Sequence, residues 1–169
     1  HKAERDMGKS EFYKDARHDL TGPLSGVTVV EATTTWAGPM AACVLADFGA
    51  RVKKIELPEG EVVRQLPPYL PDSKLTVPNE TVNRNKESLT LDLRTKEGKD
   101  LALTLIEGAD IFIENFRPGT LAKWGLGYDD LKQAKPDVVY VSVSGFGQFG
   151  SLSDRVGYDP VAQNFSGWA

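Results

Sequence analysis

The chain has 169 residues, enough for one domain with a real core. Its hydrophobic (40%) and charged (26%) shares are ordinary globular values. The acidic surplus, 24 Asp and Glu against 20 Lys and Arg, argues against a general nucleic-acid or polyanion binder. No apolar run approaches a membrane span and no signal-peptide pattern is visible, so neither nucleic acid nor membrane is expected as a partner.

Residues 1–20 read as a charged tail, expected to be poorly ordered, and residues 21–169 as one folded domain. Both histidines, His1 and His18, fall in that tail. A Ser-His-Asp triad, a histidine metal site or a histidine general base would need the tail to fold back. No metal site is expected.

Residues 26–31 are β-branched and read as the first strand. A loop over residues 33–38 precedes a helix over 39–48, with Pro39 at its first position and Gly49 ending it. Its nearly uniform apolarity predicts burial, and Cys43 within it reads as a small buried hydrophobe. A single cysteine cannot form an internal disulfide, which fits a reducing, cytoplasmic setting. Residues 51–56 form the second strand.

Residues 57–80 carry five prolines and read as a long loop. A strand follows over 88–93, then a helix opening at Thr95, a strand over 110–114, and one or two helices within 119–135. Residues 137–142 read as the clearest strand. Strands alternating with helices predict an α/β fold with a Rossmann-like, doubly wound, mostly parallel sheet. The loops after the strands (33–38, 57–68, 115–119 and 144–150) then share one edge, where open α/β sheets bind ligands.

The residues available at that edge suit something flat and anionic. Asp110-Ile111-Phe112-Ile113-Glu114 breaks into Asn115-Phe116-Arg117-Pro118-Gly119, an amide, a ring and a guanidinium in a row. Arg84, Lys86, Arg94, Arg117 and Lys123 read as a basic cluster beside Trp36, Phe116 and Trp124, suited to an aromatic ring carrying phosphates. Solvated surface charge is the competing reading for each one. The loop Thr33-Thr34-Thr35-Trp36-Ala37-Gly38 lacks the glycines of a dinucleotide fingerprint, which counts against NAD.

The order of short motifs is itself informative. Pro23-Leu24-Ser25-Gly26-Val27, Ala37-Gly38-Pro39, Leu45-Ala46-Asp47-Phe48-Gly49-Ala50-Arg51-Val52 and Asn83-Arg84-Asn85-Lys86 come first. Leu91-Asp92-Leu93, Glu114-Asn115-Phe116-Arg117-Pro118-Gly119, Leu126-Gly127-Tyr128 and Gly157-Tyr158-Asp159 follow. From about Pro23 onward, this series resembles the family III CoA-transferases, the group of formyl-CoA transferase, carnitine CoA-transferase and 2-methylacyl-CoA racemase.

The resemblance implies the N-terminal part of a Rossmann-like large domain, with a smaller domain later in the chain, and an interlocked homodimer or heterodimer. It implies transfer of CoA from an acyl-CoA to a carboxylic acid acceptor, with coenzyme A or acyl-CoA as substrate and no permanently bound cofactor. It further implies an aspartate nucleophile that forms a mixed anhydride and then a glutamyl- or aspartyl-CoA type thioester. By motif, Trp36 and Ala37 line the acyl–thioester region. Leu91, Asp92, Leu93 and Arg94, with Asn115, Phe116 and Arg117, hold nucleotide and pantetheine. Lys123 and Trp124 flank phosphates and adenine, and Val156, Gly157, Tyr158 and Asp159 approach the thioester. The nucleophile is expected beyond Ala169, so no catalytic residue is assigned within the chain; Tyr158 and Asp159 are supporting residues, and the 169 residues alone are expected to be inactive.

Three departures stand out. Trp36 replaces the glutamine of formyl-CoA transferase, implying a different acyl group. Leu57 stands where a CoA-contacting arginine is common, leaving Arg64 or another base to compensate. Tyr158 stands where the racemase branch has its histidine, and an unperturbed tyrosine pKa near 10 makes a poor neutral-pH base, so transferase is preferred over racemase. A non-catalytic CoA-binding subunit of a heteromeric transferase is the alternative.

Overall fold

The computed structural model describes residues 21–168. The expected tail, with His1 and His18, and Ala169 lie outside the described residues. Five strands, β1 (Thr28–Ala32), β2 (Arg51–Glu56), β3 (Lys86–Thr90), β4 (Ile111–Glu114) and β5 (Val139–Ser142), form one sheet in the order β3-β2-β1-β4-β5. Every neighbouring pair is parallel. The helices are α1 (Ala37–Asp47), α2 (Val77–Asn83), α3 (Lys96–Glu107), α4 (Thr120–Lys123), α5 (Tyr128–Ala134) and α6 (Asp159–Ser166).

Adjacent valines in β1 show why the sheet is wound on both faces. Val29 and Val30 point to opposite sides, yet both are fully buried, as a covered parallel sheet requires. On one side Val29, Val52 and Ile113 pack under Ala42 and Ala46 of α1, whose short side chains let the helix approach closely. On the other, Val30, Ile55 and Phe112 pack under Ala102 and Ile106 of α3 and under Leu121, Leu126 and Leu131. The expected Rossmann-like, doubly wound α/β fold is present.

Several boundaries differ from the sequence expectation. Helix α1 starts at Ala37, so Pro39 occupies the third helical position; its missing N–H costs nothing there, because the first turn's donors have no intrahelical partner. Met40 N–H makes the first helical bond, to Trp36 O at 2.8 Å. The expected loop over 57–80 contains a short 3-10 turn (Val62–Gln65) and runs into α2. Thr76 caps α2, its hydroxyl accepting the Asn79 N–H at 3.2 Å. Strand β3 starts at Lys86 rather than 88, and β5 begins at Val139; that strand lies at the sheet edge, with Val139 55% exposed.

The order in which strands are added reverses between β1 and β4. From β1 the sheet grows outward through β2 and β3, and from β4 outward through β5. The loops leaving β1 and β4 therefore diverge to opposite faces and leave a crevice between them.

Candidate functional site

A cavity of about 630 Å3 fills that crevice. Thr35, Trp36 and Ala37 form its first wall, at the start of α1. Asn115, Phe116, Arg117 and Pro118, from the loop after β4, form the second. Val156, Gly157, Tyr158 and Asp159, leading into α6, form the third. Nine of the fifteen candidate residues thus share one cavity, although they come from three distant parts of the chain.

The first two walls are tied to each other. Asn115 accepts the Thr34 N–H through Oδ1 at 2.8 Å and donates through Nδ2 to Thr34 O at 2.7 Å. Its amide is therefore occupied in joining the loops, a task different from the direct grip suggested by its place in the motif. Gly38 permits this closeness: a Cβ there would meet Thr33 side-chain carbons at 2.7 Å and the Asn115 amide carbon at 3.1 Å. Glu114, 5% exposed, turns the chain out of β4 by accepting the Phe116 N–H at 2.8 Å and the Ser142 hydroxyl. Burial pushes its carboxyl above the usual carboxylate range, against the lowering effect of those two hydrogen bonds. Phe116 meets Trp124 edge to face at 5.3 Å, so Trp124 supports this wall from behind.

The third wall is held by a backbone crossing. A Cβ at Gly145 would stand 2.3 Å from Gly157 Cα, and one at Gly157 would stand 2.4 Å from Gly145 Cα. Only two glycines allow the segment before α6 to lie against the loop after β5. Tyr158 is the N-cap of α6 and 67% exposed; Asp159 opens the helix and accepts a hydrogen bond from Gln163 at 2.5 Å.

Charge at the cavity is positive and unspent. Among the described residues, Arg117 and Arg155 both border it, and neither guanidinium has an ion-pair or hydrogen-bond partner. The other candidates lie elsewhere. Leu91, Asp92, Leu93 and Arg94 follow β3 at the same sheet edge, outside the cavity. Leu93 is 2% exposed and packs in the core. Arg94 is bound to Asp92 at 2.7 Å and to Glu59 at 2.8 Å, and its hydrogen bond holds the Asp92 carboxyl below the usual range. Lys123 ends α4, one turn beyond the Arg117 loop.

The expected basic cluster is broken up. Arg84 precedes β3 and pairs with Asp47 at the far end of α1, which places it on the opposite sheet edge. Lys86 is buried beneath α1, 2.6 Å from Glu31 and donating to Pro39 O at 2.7 Å. Burial pushes its ammonium down, partly offset by the Glu31 charge. Arg64 is committed to Glu56 through two hydrogen bonds of 2.7 and 2.5 Å. Burial alone would raise the Glu56 carboxyl, but Arg64 and Ser88 outweigh it and hold the pKa at about 2. A basic residue read from sequence carries no information about which acid will claim it.

Sequence reading missed the buried charges behind the first wall: Glu31, Lys54, Glu61 and Lys86, each almost wholly inaccessible to solvent through its side chain. A signal for one of them existed. Glu31 is a charged position inside the apolar strand run Thr28–Ala32, and in a sheet covered on both faces such a position must be paired; Lys54, in the mostly charged Arg51–Glu56, carries no such mark.

The fold is that of a Rossmann-type domain, with a crevice at the strand-order reversal walled by apolar residues and by two guanidinium groups that have no partner among the described residues. The chain belongs to CoA-transferase family III, whose model matches residues 24–169. It is 41% identical over 152 residues to a succinate–glutarate CoA-transferase of Agrobacterium fabrum, covering 86% of this chain and 38% of that protein. It is 42% identical over 146 residues to the alpha subunit of a succinyl-CoA–L-malate CoA-transferase of Chloroflexus aurantiacus, covering 86% and 34%. The crystal structure of a CaiB/BaiF family protein from Brucella suis superposes with a TM-score of 0.83 at 40% identity, covering 88% of this chain and 40% of the other. The chain spans about a third to two fifths of the length of these curated relatives.

Proposed function

We propose that this chain supplies the coenzyme-A-binding part of an acyl-CoA:carboxylate CoA-transferase. One observation carries the reading: the reversal crevice pairs an apolar, aromatic cavity with two arginines that have no partner among the described residues, which matches a thioester tail and its phosphates. Family membership supports the reaction class. Trp36, Ala37, Val156, Gly157, Tyr158 and Asp159 would surround the thioester, and Arg117 the phosphates. Leu91, Asp92, Arg94, Lys123 and Trp124, on the same edge, would receive the nucleotide, with Leu93 in the core behind them. The reaction passes CoA to a free carboxylic acid through an aspartyl anhydride and thioester, and the nucleophile falls outside these 169 residues. They therefore show no turnover alone.

We read the active assembly as an interlocked homodimer or heterodimer in the cytoplasm. Support for assembly comes from Phe149, Phe165 and Trp168, each more than 70% exposed. Among the described residues no helix is long and apolar enough to cross a membrane. The Chloroflexus relative is an alpha subunit, which favours the heteromeric form as a second reading. Calorimetric titration tests the binding claim. Coenzyme A binds and NAD does not; binding of NAD, or of neither, refutes it.

A further inference from the structure

Thr35 is the strained point of the first wall. Its φ of 67° lies in the left-handed region, an outlier for a β-branched residue that persists only when its surroundings hold it. A line of buried charge reaching out from the sheet does so. The Thr35 N–H donates to Glu61 Oε1 at 2.9 Å. Glu61 Oε2 stands 3.1 Å from Lys54 Nζ, and Lys54 donates to Thr33 O at 2.9 Å. Lys54 is 1% exposed and Glu61 3%. The ammonium thus grips the loop at Thr33 directly and at Thr35 through Glu61, while Asn115 grips Thr34 from the other flank. Neither Lys54 nor Glu61 lines the cavity, whereas Thr35, Trp36 and Ala37 do. A buried ion pair of this kind adds little net stability over apolar replacements of similar volume, so its consequence here is geometric.

We infer that Glu61, backed by Lys54, is a positioning residue for the cavity. It keeps Thr35 left-handed and so sets where Trp36 and Ala37 stand. The ligand readout below rests on the coenzyme A reading above; the loop readout does not.

The test uses this chain labelled with 5-fluorotryptophan. Its three tryptophans, Trp36, Trp124 and Trp168, give three 19F resonances, and Trp36→Phe assigns the relevant one. Glu61→Ala displaces the Trp36 resonance and weakens coenzyme A binding about tenfold, the scale of one lost hydrogen bond to a charged group. Adding Thr35→Gly restores both, because glycine enters the left-handed region without steric cost. The melting temperature stays low in the double variant, since Lys54 has still lost the nearer of its two carboxylates, Glu61 at 3.1 Å, and keeps only Glu31 at 3.9 Å. A purely structural role predicts no such recovery. The inference is overturned if the Trp36 resonance does not move in folded E61A, or moves and does not return with Thr35→Gly. Should E61A fail to fold, Glu61→Gln decides: it keeps an oxygen for the Thr35 N–H, so the Trp36 resonance stays in place, and its displacement overturns the inference. Failure of the unsubstituted chain to bind coenzyme A defeats the functional reading and leaves the 19F result to decide this one.

Discussion

Replacing Gly157 with alanine drives a methyl group into the backbone of the loop after β5. The new Cβ would stand 2.4 Å from Gly145 Cα and 3.1 Å from its carbonyl carbon. Carbon atoms in contact rest at about 3.5–4.0 Å, so the two segments must part by about 1 Å. Main chain cannot rotate aside as a side chain can. The yielding side is the one before α6, because that helix has no buried residue to anchor it. Val156, Tyr158 and Asp159 are carried away from the cavity while the core stays intact. The expected cost is about 1–3 kcal/mol, the range for overpacking, concentrated in this segment. The assay is coenzyme A titration paired with thermal unfolding and amide exchange over residues 143–160. G157A binds more weakly and its exchange rises there alone. Gly147→Ala is the comparison: its φ of 81° also carries left-handed strain, about 1–2 kcal/mol, but nothing lies within 4 Å of the new methyl. It leaves binding unchanged. Unaltered affinity in G157A, or an equal loss in G147A, refutes the claim that the glycine crossing holds the third wall.

Arg117→Ala lowers coenzyme A affinity by about 1.5–3 kcal/mol, the value of a hydrogen bond to a charged group, and calorimetry reads it directly. Lys86→Met takes from buried Glu31 its nearer cation and leaves Lys54 at 3.9 Å, a loss of up to about 3–5 kcal/mol in urea unfolding, whereas Lys86→Met with Glu31→Gln recovers much of it. Glu56 gives a pH prediction. Its folded pKa of about 2 lies below its unfolded value near 4.5, so its stabilisation is complete above pH 4.5 and fades as pH falls toward 2. Unfolding midpoints across that window fall more steeply for the native chain than for Glu56→Gln; parallel curves contradict the Arg64–Glu56 assignment.

Fold and site were legible to different depths. The β-branched runs at Val29-Val30 and Val139–Ser142, separated by helical segments, were enough to anticipate the doubly wound sheet and the edge on which a ligand would sit. Motif order brought Trp36, Asn115, Arg117 and Tyr158 into one expected site, and they line one cavity. Sequence did not say how each side chain spends its polar groups. Asn115 turns to Thr34, Arg64 to Glu56 and Arg84 to Asp47, because each finds a partner distant in sequence and close in space. Leu93 belongs to the core, since it follows β3 inward while its neighbour Arg94 turns out. Helix α2 was hidden by prolines, although Thr76 and Pro78 are ordinary start signals.

Backbone amide shifts on titration with coenzyme A test most directly whether the crevice between β1 and β4 is the binding site. Shifts confined to residues 34–37, 115–117 and 156–159, with smaller ones over 91–94, are the result this account predicts. Shifts centred instead on Asp47 and Arg84, at the far edge of the sheet, would contradict it.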